Sequence, residues 1–217
     1  MIYPAEPSLF WSDLALGLVT LICGILARSR GRLASFMFVS AAIAAWLGAF
    51  FHGYISSTTT LSGQLIWLFT LMFFAASSAA LMQYSLGSRK RTIPIPVLVF
   101  VGYSLFAYFI SDGFIWASIL QGCADIVYGL ALFRAIAVTP PQTTAKAILW
   151  YEAYISITAM SALIASATYF PNLTIDALTM FHLTEIPAVV LLYLSIRDSQ
   201  PEPNNSNVTA PGKLKPS

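Results

Sequence analysis

The sequence predicts an all-α integral membrane protein, a bundle of seven transmembrane helices with its N-terminus outside and its C-terminus inside. Three observations lead there. Hydrophobic residues make up 58% of the 217 and charged residues 9%, against about 25% charged in an ordinary soluble domain, and no water-soluble fold of this size hides so much apolar surface. The apolar residues fall into seven runs, each long enough to cross a hydrocarbon core about 30 Å thick. All eleven Lys and Arg lie outside those runs. If the chain crosses the bilayer at each run, Arg28, Arg30, Arg32, Arg89, Lys90, Arg91, Arg134, Lys146, Arg197, Lys213 and Lys215 share one face, which the positive-inside rule makes the cytoplasmic one.

The first span covers about 10–27 and stops at the basic turn Arg28 to Arg32, and the second, about 35–54, returns to the polar outer stretch 56–62. The third, about 65–86, ends at Gly87 and the Arg89-Lys90-Arg91 triplet. Pro94 and Pro96 open the fourth, about 94–111, where backbone N–H groups lack helical partners in any case. After the turn Ser111-Asp112-Gly113 comes the fifth, about 114–133, and then an inner loop with Pro140 and Pro141. The sixth spans about 147–169, and the seventh, about 176–196, follows an outer joint at 171–174. Residues 1–197 thus form the membrane domain, and 198–217, rich in Pro, Asn and Ser, read as a disordered cytoplasmic tail.

The net charge of +2 is spread over loops and tail, so it gives no nucleic-acid signal; its small juxtamembrane clusters orient the chain and face lipid headgroups. Cys23 and Cys123 both sit in apolar runs and read as packing residues, with no disulfide framework. Residues 1–11 contain Glu6 but no Lys or Arg, and no small-x-small cleavage pattern follows the first run, so that run reads as a retained span.

Six ionisable side chains remain inside the spans: Asp13, His52, Asp125, Glu152, His182 and Glu185. A charge near the bilayer centre costs roughly 2.5–3.5 kcal/mol on insertion scales, so such groups face the interior and have partners. At about 1.5 Å of rise per residue, Asp13 and His52 fall near the outer rim and His182 roughly 9 Å below it, with Glu185 roughly 13 Å and Asp125 roughly 17 Å down. Glu152 belongs to the inner third, where a solvated, snorkelling carboxylate is the expectation. His182 and Glu185, three apart, share a face, and Gln121, Asp125 and Tyr128 line up on the fifth span. Ser40, Ala44, Gly48 and His52 follow at four-residue steps, a small-residue seam that lets another helix approach closely with a histidine at its end. Asp13, next to Ser12, has two readings of equal weight: a cap on the first helix, or membership of a site.

Gly-Ala-Phe-Phe-His52 late in the second span and Phe-His182-Leu-Thr-Glu185 in the seventh resemble motifs of the seven-helix membrane hydrolase superfamily that includes alkaline ceramidases and the progestin and adiponectin receptors. The resemblance implies a zinc ion that hydrolyses a lipid amide or ester, with His52 and His182 as ligands. Gly48 stands where that motif has Ser, the third span has no Asp, and Ile186 stands where a second histidine is expected. A third ligand must then come from Glu185, Asp13 or Asp125, of which Glu185 and Asp13 lie nearer in depth. Imidazole and carboxylate suit zinc, and an open position on it activates water. Asp125 and Glu185 are the candidate catalytic carboxylates, Asp125 as base or as a partner orienting a ligand.

Two imidazoles on one zinc come within roughly 4 Å of each other. Retinal is disfavoured, because the seventh span has no Lys to form a Schiff base. Two other functions stay open beside the hydrolase. A proton-linked transporter or other carrier would use His52, His182, Glu185, Asp125 and Glu152 as a ladder of descending depth, the way pumps relay protons. A ligand sensor would use the same residues as a structural network.

Overall fold

The structure is a computed structural model that describes residues 5–55, 57–86, 102, 113–136, 141–166 and 177–199. Among these are six α-helices and no strand: α1 Pro7–Ala27, α2 Arg32–Phe50, α3 Leu61–Leu86, α4 Gly113–Ile136, α5 Pro141–Ser166 and α6 Ala177–Asp198. The expected fourth span, 94–111, lies outside the described residues except for Gly102, as do the expected joint 171–174 and the tail from 200 onward.

Among the described residues five segments are long and apolar enough to cross a bilayer: Pro7–Arg30, Arg32–Ile55, Leu61–Leu86, Ala145–Ile164 and Ala177–Asp198. Their outward faces are apolar too. Ile25, Leu61 and Leu163 are each more than 60% exposed, a surface that water penalises at about 25 cal/mol per Å² and that lipid tails cover without cost. The chain is a multi-pass integral membrane protein.

The helices form a closed circuit, with α1 packed on α2, α2 on α3, α3 on α4, α4 on α5, α5 on α6, and α6 back on α1. The small-residue seam of α2, Ser40, Ala44 and Gly48, is buried, and at Gly48 it meets α1, where a Cβ would stand 3.1 Å from Asp13 Oδ2. From the other side, a Cβ at Gly17 of α1 would collide with the Trp46 ring, and one at Gly24 would meet Val39 and Phe38. The approach is close because glycines let it be. Cys23, Met37, Phe38, Leu81, Ala124, Tyr128, Tyr154, Leu192 and Ile196 share the main core.

Several boundaries differ from the sequence reading. Pro7 occupies the first turn of α1, where its fixed φ and missing N–H suit a helix start. The helix therefore begins before residue 10, and Asp13 sits in its second turn, too deep to cap it; no side chain caps this end. The capping reading of Asp13 is thereby corrected. Likewise α5 starts at Pro141 rather than near 147, with proline again opening a helix. The α1–α2 turn needs Gly31, whose φ of +125° disfavours any residue with a Cβ. Asp198, expected in the tail, is the last residue of α6, where Arg197 Nε donates to its Oδ1 at 2.7 Å and Trp150 Nε1 to its Oδ2 at 3.1 Å.

Candidate functional site: a buried polar row

The buried polar groups are strung from one end of the bundle toward the other. At the first end, α1 and α6 start side by side, which brings Asp13 and His182 to the same level. His182 Nδ1 lies 3.2 Å from Asp13 Oδ1 and 3.4 Å from Ser12 Oγ. Ser12 Oγ also donates to the Leu9 carbonyl at 3.0 Å, so the histidine ring is held between a carboxyl group and a hydroxyl. Asp13 is 4% exposed, and its second oxygen, Oδ2, has no hydrogen-bond partner; it faces the bare backbone at Gly48.

One turn further along α6 is Glu185, whose Oε1 is also buried without a partner. Next to it Ser161 of α5 donates to Thr184 Oγ1 at 2.5 Å. Glu185 lies within electrostatic reach of Asp125 and Tyr154. Asp125 is the most elaborately held acid. Gln121 Nε2 and the Tyr154 hydroxyl each donate to Asp125 Oδ1 at 2.9 Å, Tyr151 donates to its backbone carbonyl at 2.7 Å, and Ser78 of α3 donates to Gln121 Oε1 at 2.7 Å. Side chains of α4 and α5 thus converge on one carboxyl group, and α3 is joined to it through Gln121. A turn deeper, the Tyr128 hydroxyl meets Ser195 Oγ at 3.0 Å, and Ser195 donates to the Ala147 carbonyl at 2.8 Å. The Tyr84 hydroxyl and Ser199 Oγ, 3.5 Å apart, stand at the opposite end from Asp13. Along α6, His182, Glu185 and Ser195 stand about 8, 12 and 27 Å from Ala177. The row therefore runs through most of the bundle.

His52 is placed differently. α2 ends in a π-helical turn, Phe51–Ile55, and His52 Nδ1 meets Glu6 Oε2 at 2.6 Å, with His52 13% and Glu6 44% exposed. The segment before α1 is laid on this turn by backbone bonds from Ala5 N to Gly53 O and from Glu6 N to His52 O, 2.8 and 3.2 Å long. The two histidines thus engage different carboxylates. α1 packs against both α2 and α6.

Of the five candidate site residues read from the sequence, Asp13 and His182 meet directly, Asp125 and Glu185 lie within electrostatic reach of each other, and His52 belongs to the rim where α2 ends. Among the described residues no group of three or more His, Cys, Asp and Glu could hold a metal ion. Glu152 is exposed on α5 and leaves the ladder, because its helix turns Tyr151 and Tyr154 to the core instead. Sequence reasoning missed Ser12, Ser78, Tyr154, Ser161 and Ser195 as partners. Their signal was available in one form only, as hydroxyl residues inside apolar runs, which interhelical hydrogen bonding favours.

No curated protein and no solved structure matches the chain. Residues 9–201, nearly the whole helical region described above, match a family of unknown function (DUF6962), and the chain belongs to that family.

Proposed function

We propose that the protein is a proton-linked membrane carrier of seven transmembrane helices, N-terminus outside and C-terminus inside, in which the buried polar row conducts protons. The seven-span count adds the apolar run 94–111 to the six helices described, and the one-sided Lys and Arg support the orientation. The observation that carries the function is the succession of buried polar groups along the bundle: the Asp13–His182 contact, Glu185, Asp125 held by Gln121 and Tyr154, and the Tyr128–Ser195 contact. Charge is costly at this depth. Each acid must be matched by a cation, by hydrogen-bond donors or by a bound proton, and no Lys or Arg forms an ion pair with Asp125 or Glu185 among the described residues. Carboxyl groups in succession along one row, joined by hydroxyls that both donate and accept, are the means by which protons cross an apolar medium.

The test is proton uptake into liposomes holding the purified full chain and a pH-sensitive dye, with a potassium gradient and valinomycin supplying the potential. Uptake faster than in protein-free liposomes is the expected result. Uptake equal to that of protein-free liposomes, with the chain folded and inserted, overturns the reading.

A specific observation keeps a second reading, the zinc-dependent lipid hydrolase, in play: Asp13 and His182 meet, and Asp13 Oδ2 has no partner. These two donors suit zinc in kind, but they are one short of the three that a catalytic zinc requires. One zinc per purified chain, lost in His182→Ala, would favour the hydrolase over the carrier.

A further inference from the structure

The turn joining α1 to α2 holds Arg28, Arg30 and Arg32 within five residues. It is separate from the polar row. We infer that this turn binds the phosphate of an anionic phospholipid headgroup.

The turn lies where two membrane-crossing segments, Pro7–Arg30 and Arg32–Ile55, meet, so it stands at the bilayer surface. Among the described residues the ion pairs are His52 with Glu6, His182 with Asp13 and Arg197 with Asp198, and none involves these three arginines. Arg197 shows the contrast, a basic residue at a helix end already matched by an acid. Arg28 and Arg32 are exposed. Arg30 is half-buried, and among the described residues its Nε is shut off from water without an acceptor, a condition that is costly for a buried polar group. Rotation of the guanidinium toward a phosphate oxygen recovers that hydrogen bond in the charge-assisted, forked geometry that arginine favours.

Space for the ligand is present. A Cβ built at Gly31, between Arg30 and Arg32, would meet nothing within 4 Å. The flanks decide between a lipid and free phosphate. Ile25, Leu26 and Phe36 are 62%, 50% and 52% exposed just beside the turn, an apolar surface that acyl chains cover and an inorganic ion cannot.

Native mass spectrometry of the full chain in neutral detergent tests the site, with phosphatidylglycerol and phosphatidylcholine offered in equal amounts. At about 1 kcal/mol per arginine near the surface, phosphatidylglycerol should be retained at least about fivefold over phosphatidylcholine. That preference should fall by about fivefold or more in Arg28→Gln/Arg30→Gln. It should also fall in Arg28→Gln/Arg32→Gln, whose two side chains are exposed and whose fold is not at risk. Arg134→Gln, with an exposed side chain on α4, should keep it. Equal retention of the two lipids by the wild type, an unchanged preference in both double variants, or an equal loss in Arg134→Gln overturns the assignment. Displacement of phosphatidylglycerol by millimolar inorganic phosphate assigns the same chemistry to a free anion and overturns the lipid.

Discussion

Asp125 gathers two side-chain donors, Gln121 and Tyr154, on one oxygen, and through Gln121 it reaches Ser78 on another helix. Asp125→Asn keeps the shape and an acceptor, so it should fold with little loss of stability while removing the exchangeable proton. Tyr154→Phe does the opposite: it deletes one donor in the core and should cost about 0.5–1.5 kcal/mol, read as a lower unfolding temperature in detergent. Gly48 allows a sharper comparison. Gly48→Ala and Gly48→Ser place the same Cβ 3.1 Å from Asp13 Oδ2, but only serine brings a hydroxyl that can donate to that unpartnered oxygen. The serine variant should therefore be the more stable by about 1 kcal/mol in the same thermal assay. An equal or lower unfolding temperature for serine would show that Oδ2 does not need a donor.

At the scale of helices, the seam on α2 was legible because small residues at four-residue steps project from one face; it is buried, with α1 against it at Gly48. The face shared by His182 and Glu185 was legible for the same reason. The partner of His182 was not. Asp13 becomes its neighbour only because α6 closes the circuit on α1, a contact across 169 positions of chain that no local pattern encodes. His52 went elsewhere because α2 ends in a π turn that draws the segment around Glu6 onto it. At the opposite end, Trp150 of α5 holds Asp198 of α6. Trp150→Phe should loosen the last turn of α6, with faster amide hydrogen exchange over residues 196–199 and no change near Glu185. Unaltered exchange at 196–199 would mean that Arg197 alone holds that end.

For the whole molecule, composition and charge placement were enough to read an α-helical membrane protein, since a 58% hydrophobic chain has no soluble alternative. Orientation is a separate matter and has its own test. In a Cys23→Ala/Cys123→Ala background, a maleimide that cannot cross membranes should label Ser57→Cys from outside intact cells and leave Ser29→Cys unlabelled; the reverse pattern would invert the bundle. What composition could not convey is the order of groups along the interior, which depends on the depth at which each helix meets its neighbour.

That order yields the central claim, that protons move through Asp125 and Glu185 and not along the exposed face of α5. The direct measurement compares proton uptake into liposomes by the wild type, Asp125→Asn, Glu185→Gln and Glu152→Gln at equal protein content. Asp125→Asn and Glu185→Gln should each lose at least about tenfold in rate, a barrier increase of about 1.4 kcal/mol or more, while Glu152→Gln matches the wild type. Wild-type rates in Asp125→Asn and Glu185→Gln, or a loss confined to Glu152→Gln, would contradict it.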